Sequence, residues 1–88
     1  MREFEDDPVK SEVNSTKHGI DFESAQDIWL DPEVLEVPAS LTEEPRFLVI
    51  GRVELKHWSA VITYRGEKIR IISARRSREN EVVLYENI

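Results

Sequence analysis

Residues 57–64 constrain this chain more than any other stretch. Trp58, Ala60, Ile62 and Tyr64 fall on one side of an extended backbone, and His57, Ser59, Val61 and Thr63 fall on the other. Arg65-Gly66-Glu67-Lys68 supplies a turn, and residues 69–74 supply an apolar returning strand, so the pair reads as a β-hairpin. An isolated hairpin is marginal in water. The rest of the 88 residues must therefore extend the sheet and cover it, as one domain with one core over residues 1–88.

The remaining segments fit that task. Residues 2–5 alternate weakly around Phe4 and predict a short edge strand. Asp7-Pro8 predicts a helix start, with Asp as N-cap and Pro at the first helical position. Val9 and Val13 lie one turn apart as an apolar stripe for the sheet to cover, and Gly19 closes the helix, which spans roughly residues 8–18. Asp21 opens a second helix with Phe22, Ala25, Ile28 and Trp29 on one face, and Asp31-Pro32 ends it. A brief strand over residues 34–37 is closed by Pro38, residues 39–45 read as a loop, and residues 46–51 are rich in strand formers. Ser77 caps a last helix reaching Glu86. The predicted class is α+β: two N-terminal helices packed on a mainly antiparallel sheet, with a C-terminal helix.

Composition removes several function classes. Without cysteine there is no disulfide or thiolate chemistry, and no stretch is long and apolar enough to span a membrane. The first residues lack the basic-then-apolar order of a signal peptide, so the cytoplasm is the expected location. Gly19, Gly51 and Gly66 are isolated and form no phosphate loop. His18 and His57 share no motif, so no metal site is expected, and no serine-hydrolase elbow is present. Catalysis, if this is an enzyme, falls to side-chain acid–base chemistry and charge stabilisation without a cofactor. The net charge of −6 hides a split. Residues 1–45 hold three basic against thirteen acidic residues (−10), and residues 46–88 hold nine against five (+4). A basic face from the C-terminal half follows, although a merely solvated surface explains the same numbers.

Residues 69–76, Ile-Arg-Ile-Ile-Ser-Ala-Arg-Arg, carry the densest chemistry. Arg70 interrupts an apolar strand, which is costly unless the guanidinium is paired or opens onto a cleft. One reading is an ion pair with a carboxylate such as Glu44 or Glu54. The other is an anion site, favoured by Arg75, Arg76 and Arg78 at the strand's end, by the Ser73 hydroxyl, and by the helix start near Ser77.

This segment resembles the Arg-Ile-Ile-Ser-Ala-Arg core of the BrnT family of type II toxins. Further landmarks fall in the family's order: Phe4 and Asp6, Lys10, Asn14, Lys17-His18-Gly19, Phe22, Ala25, Asp31-Pro32, Glu44 with Arg46, Gly51 and Tyr85. Glu5 stands where the family commonly has tryptophan. The resemblance implies a RelE-like fold and metal-independent endoribonuclease activity that arrests translation. It also implies neutralisation by a BrnA-like antitoxin, through which the pair reaches DNA and represses its own operon. A heterotetramer with the antitoxin and a homodimer are both assemblies open to such a chain, and no membrane partner is implied.

Metal-free RNA cleavage needs an activated 2′-hydroxyl, a stabilised phosphorane and a protonated leaving oxygen. Arginine keeps its proton, so Arg70 and Arg75 suit only the stabilising role. The base falls to His18 or to Glu44. His18 has a structural alternative as the cation that finishes a helix, and Glu44 as a partner of Arg46. Ser73 and Tyr85 are placed to orient phosphate or stack on a base, with a core role the alternative for Tyr85. Lys17, Arg46, Arg65 and Arg76 complete the expected RNA-binding set. A non-catalytic protein-binding module, or a degenerate toxin acting only as antitoxin partner and corepressor, is the competing reading.

Overall fold

The computed structural model describes residues 3–40 and 43–87. Arg2, placed in the first strand, and Leu41 and Thr42, placed in a loop, lie outside the described residues. The elements run β1 (Glu3–Glu5), α1 (Pro8–His18), α2 (Phe22–Ala25), a 3₁₀ helix (Gln26–Leu30), β2 (Leu35–Ser40), β3 (Arg46–Val53), β4 (Lys56–Arg65), β5 (Lys68–Arg76) and α3 (Glu79–Glu86). The α+β class is as the sequence predicts.

The hairpin of β4 and β5 is the centre of the sheet. Its loop is tighter than the four-residue turn read from sequence, because Arg65 and Lys68 pair across the ladder and only Gly66 and Glu67 remain between them. Gly66 has φ 61°, a left-handed value that a two-residue hairpin favours and glycine adopts without strain. β4 and β5 lose register between Val61 and Ile62, where Val61 faces Ser73 and Ile62 faces Ile71. Ile72 is the extra residue of a bulge, which returns Ser73 to the face that carries Arg70.

The five strands lie in the order β1-β5-β4-β3-β2. Three neighbouring pairs are antiparallel, but β1 runs parallel to β5 and pairs Glu3 to Glu5 with Lys68 to Arg70. The sheet is therefore mixed, a correction to the antiparallel expectation. The chain enters along the edge of its own last strand and crosses through the helices before building the rest. β2 also runs on through Pro38 to Ser40, with a register shift there; an edge strand can hold proline because one side of its ladder is empty.

The second correction concerns the helices. Only α1 is a full helix before β2; the predicted second helix is the single turn α2, continued as 3₁₀. Two constraints shorten it. Asp31 precedes Pro32 and turns extended, at φ −69° and ψ 120°. The Ile28 carbonyl also presses against Gly51 of β3, where an added Cβ would stand 2.8 Å from that oxygen.

One sheet face meets α1, α2 and the 3₁₀ helix. Ile20, Phe22, Ala25 and Ile28 pack there on Val49, Ala60, Ile62, Ile69, Ile71 and Ala74. Phe4 and Trp29 extend this core edge-to-face, with ring centroids 4.9 Å apart. α3 crosses the opposite face and buries Glu81 and Tyr85.

α1 is seated differently from expectation. Asp7 caps it, accepting hydrogen bonds from Val9 N at 2.9 Å and Lys10 N at 3.4 Å, and Gly19 closes it at φ 77°. Yet Val9 and Val13 face solvent, 70 % and 58 % exposed. The residue that α1 buries is Asn14.

Candidate functional site

Asn14 lies where β5 has no strand on its outer side, since β1 pairs only as far as Arg70. Its Nδ2 donates to the Ala74 carbonyl at 2.9 Å and to the Ile20 carbonyl at 2.7 Å. The Ala74 N–H donates in return to Oδ1 at 3.2 Å. The side-chain amide thus does for Ala74 what a neighbouring strand would do.

Lys10, Asn14, Lys17 and His18 stand at i, i+4, i+7 and i+8 of α1, one face of the helix. That face borders the β5 bulge. A pocket of about 250 Å³ is lined by these four residues with Val13, Ile72 and Ser73. Two lysines and a histidine of α1 therefore line the sheet edge beside Ile72 and Ser73. The volume falls below the ~300–1,000 Å³ of typical small-molecule sites. It suits one phosphate of a longer chain that runs on outside. A larger groove of about 520 Å³ lies beside Asp27, Asp31, Glu33 and Glu54, an acidic rim ill-suited to a polyanion.

The expected site residues divide among several places. His18, Lys17 and Ser73 all line the α1–β5 pocket. Arg70 and Arg75 share the sheet face that carries Ser73, but they stand opposite Thr63 and Ser59. Four positions of β4 separate those residues, ~13 Å along the strand. Arg70 Nη1 is 2.8 Å from Glu5 Oε1, its cross-strand neighbour in β1. The ion-pair reading of Arg70 thus has a partner, although it is neither Glu44 nor Glu54.

Arg75 is held more tightly. Its Nη1 and Nη2 donate to the two oxygens of Glu81 at 2.7 and 2.8 Å. Glu81 also accepts from Ser59 Oγ at 3.0 Å and from the Arg78 backbone N–H at 2.8 Å. The Arg75 hydrogen bonds hold the Glu81 carboxyl at about 2 against the opposing effect of burial, and the same pairing raises Arg75. The N-terminus of α3, which the sequence offered to a phosphate, already receives this carboxylate. Its N-cap is Arg78, not Ser77.

The others lie apart. Glu44 and Arg65 are exposed and 3.8 Å from each other, so Glu44 meets Arg65 and not Arg46. Arg46 is exposed at the start of β3. Arg76 donates from Nε to the His57 carbonyl at 3.3 Å and sits 5.6 Å over the Trp58 ring. Tyr85 is 8 % exposed, its ring packs edge-on against His57, and its hydroxyl donates to Asp31 Oδ2 at 2.5 Å. Burial first, and then Asp31, push that phenol up to about 12. Burial opposes ionisation of Asp31, yet the Tyr85 hydroxyl and the Arg52 and Glu33 N–H groups hold its carboxyl below the usual range.

Sequence reasoning left Asn14 and Lys10 outside the site set. The available signal was four polar residues at helical spacing; that this face borders β5 comes from the fold. Glu5, far from Arg70 in sequence, and Glu81, in the helix that follows Arg75, occupy the two arginines and carry no comparable signal.

No curated protein matches the chain in direct comparison. The family model described as "Ribonuclease toxin, BrnT, of type II toxin-antitoxin system" matches residues 7–81. That interval holds every residue of the α1–β5 pocket and nearly all of the 88-residue sequence. With its mixed α+β architecture and its basic sheet-edge pocket, the chain belongs to the BrnT family of ribonuclease toxins, whose type II systems imply an antitoxin partner.

Proposed function

We propose that this chain is a metal-independent endoribonuclease that cleaves RNA at the α1–β5 pocket, shuts down translation, and is neutralised by a BrnA-like antitoxin with which it represses its own operon. The observation that supports the site is that Lys10, Lys17 and His18 of α1 line one small pocket with Ser73 of β5. Lysines attract the phosphodiester backbone without reading sequence. His18 brings an imidazole to the pocket, the side chain that most often serves as a general base. Lys10 and Lys17 hold the phosphate, and the Ser73 hydroxyl orients it.

His18 takes the proton of the 2′-hydroxyl as that oxygen bonds to phosphorus. The bond from phosphorus to the 5′-oxygen breaks, and the 5′-oxygen leaves with a proton from an acid or from water. The products are a 2′,3′-cyclic phosphate and a 5′-hydroxyl. Arg70 lies on the same face as Ser73 and supplies charge by exchanging Glu5 for substrate phosphate. Arg75 supports the site from a distance by anchoring α3. Arg46, Arg65 and Arg76 extend the basic surface for RNA beyond the pocket.

RNA cleavage in EDTA by wild type, Lys17→Ala and His18→Gln tests this reading. A folded His18→Gln chain loses cleavage by ~10²–10⁴-fold, the usual contribution of a positioned acid–base group. Wild-type rates in that variant would remove the pocket from the chemistry. The competing reading, an inactive antitoxin partner, draws support from the ion pairs at Arg70 and Arg75. It expects no cleavage and no growth arrest from any form.

A further inference from the structure

We propose that Asn14 is a positioning residue for RNA cleavage: its side-chain amide clamps α1 to the unpaired edge of β5 and so fixes where Lys17 and His18 stand against the pocket. The proposal rests on the reading of the α1–β5 pocket as the cleavage site.

A helix seated on a sheet is ordinarily held by apolar side chains, which attract without direction. α1 departs from that pattern, because Val9 and Val13 point to solvent while an asparagine, 6 % exposed, occupies the buried position. A buried amide costs free energy unless it is fully paired, so leucine would be the cheaper occupant. Here the pairing is complete. Nδ2 serves the Ile20 and Ala74 carbonyls, and Oδ1 receives the Ala74 N–H. Among the described residues, the hydrogen bonds that join α1 to β5 run through Asn14.

Both ends of the clamp adjoin the chemistry. His18 is one helical turn beyond Asn14, and Lys17 is beside it on the same face. Ser73 immediately precedes Ala74, just past the Ile72 bulge. The Ile20 carbonyl ties the chain after Gly19 to the same amide, so the end of α1 that carries His18 is fastened from two sides. A hydrogen-bonded clamp of fixed length and direction holds a helix to fractions of an ångström. A misplacement of about 1 Å between reacting groups costs on the order of 10²-fold in rate.

The test compares Asn14→Asp, which keeps an acceptor for the Ala74 N–H but has no amide donor for the two carbonyls, with Asn14→Ser and with Ile28→Val. The last variant loosens the core away from the pocket. Each is assayed on a defined RNA in EDTA, at a temperature where circular dichroism shows it folded. The clamp predicts that Asn14→Asp lowers kcat by roughly a hundredfold, with KM within about twofold of wild type, and that Ile28→Val keeps kcat despite a lowered Tm. Asn14→Ser serves in its place if Asn14→Asp does not fold, and behaves likewise. Wild-type kcat in folded Asn14 variants, a change confined to KM, or an equal loss in Ile28→Val would overturn the proposal. His18→Gln is run alongside: its retention of cleavage, or inactivity of the wild-type chain, overturns the site reading and this inference with it. Loss of cleavage in His18→Gln with full kcat in Asn14→Asp overturns the clamp alone.

Discussion

Arg75 and Glu81 show how one residue type carries two meanings. In sequence, Arg75 ends a phosphate-like motif; in the fold it is bidentate to a carboxylate that is 6 % exposed. Glu81 is held at about 2, against an ordinary value of 4.5. A carboxyl depressed on folding stabilises the protein fully above its unfolded value, and that stability is lost as pH falls through the folded one. The contribution, about 3 kcal/mol by linkage, therefore disappears between roughly pH 4.5 and pH 2. Urea denaturation across that window should show wild type losing stability more steeply than Glu81→Gln. At neutral pH, Arg75→Ala should destabilise by about 3–5 kcal/mol by stranding a buried charge, whereas Arg75→Met with Glu81→Leu should be close to neutral. Full stability in Arg75→Ala would free that arginine for a direct catalytic part. The partner was hidden because Glu81 lies six residues on, in a helix whose placement sequence alone does not provide.

At the scale of elements, local rules were legible and long-range ones were not. The Asp7-Pro8 start and the Gly19 stop of α1 follow from cap chemistry, and the structure places them as read. Asp7→Ala should cost about 1 kcal/mol, measured as a fall in the urea midpoint with an unchanged slope. The β4–β5 hairpin follows from alternation and one glycine. The parallel pairing of β1 with β5 does not, because three residues with weak alternation contain nothing that specifies a partner sixty-five positions away. The length of the second helix also escaped, since it depends on Ile28 meeting Gly51. Gly51→Ala places a Cβ 2.8 Å from the Ile28 carbonyl and 3.0 Å from its Cγ2. Overpacking of this kind costs ~1–3 kcal/mol, and a thermal melt should show it as a clear drop in Tm. The valines of α1 misled for the opposite reason: helical spacing identifies a face, but not whether that face looks inward.

Across the whole molecule, acidic and basic side chains gather at different places, but not along the charge split seen in the sequence. Acidic side chains line the groove beside the 3₁₀ helix, while lysines and a histidine rim the edge of β5. Lys10 and Lys17 come from the acidic half of the chain and the basic half contributes only Ile72 and Ser73, so this pocket is not the basic face that the charge split predicts. The family was legible in the Ile-Ser-Ala-Arg segment together with Lys17-His18-Gly19, and the family match over residues 7–81 agrees. The pocket was only half legible, because the fold alone brings the end of α1 beside Ile72 and Ser73. If RNA phosphate lies there, Lys17→Ala should weaken RNA binding at every sequence and lower the slope of log affinity against log salt by ~0.7, the single-strand value per phosphate contact. The most direct test of the account is end-group analysis of RNA incubated with the purified wild-type chain in EDTA. The account predicts cleavage that yields 2′,3′-cyclic phosphate and 5′-hydroxyl ends and that is lost in folded His18→Gln; intact RNA, or fragments bearing 5′-phosphates, would contradict it.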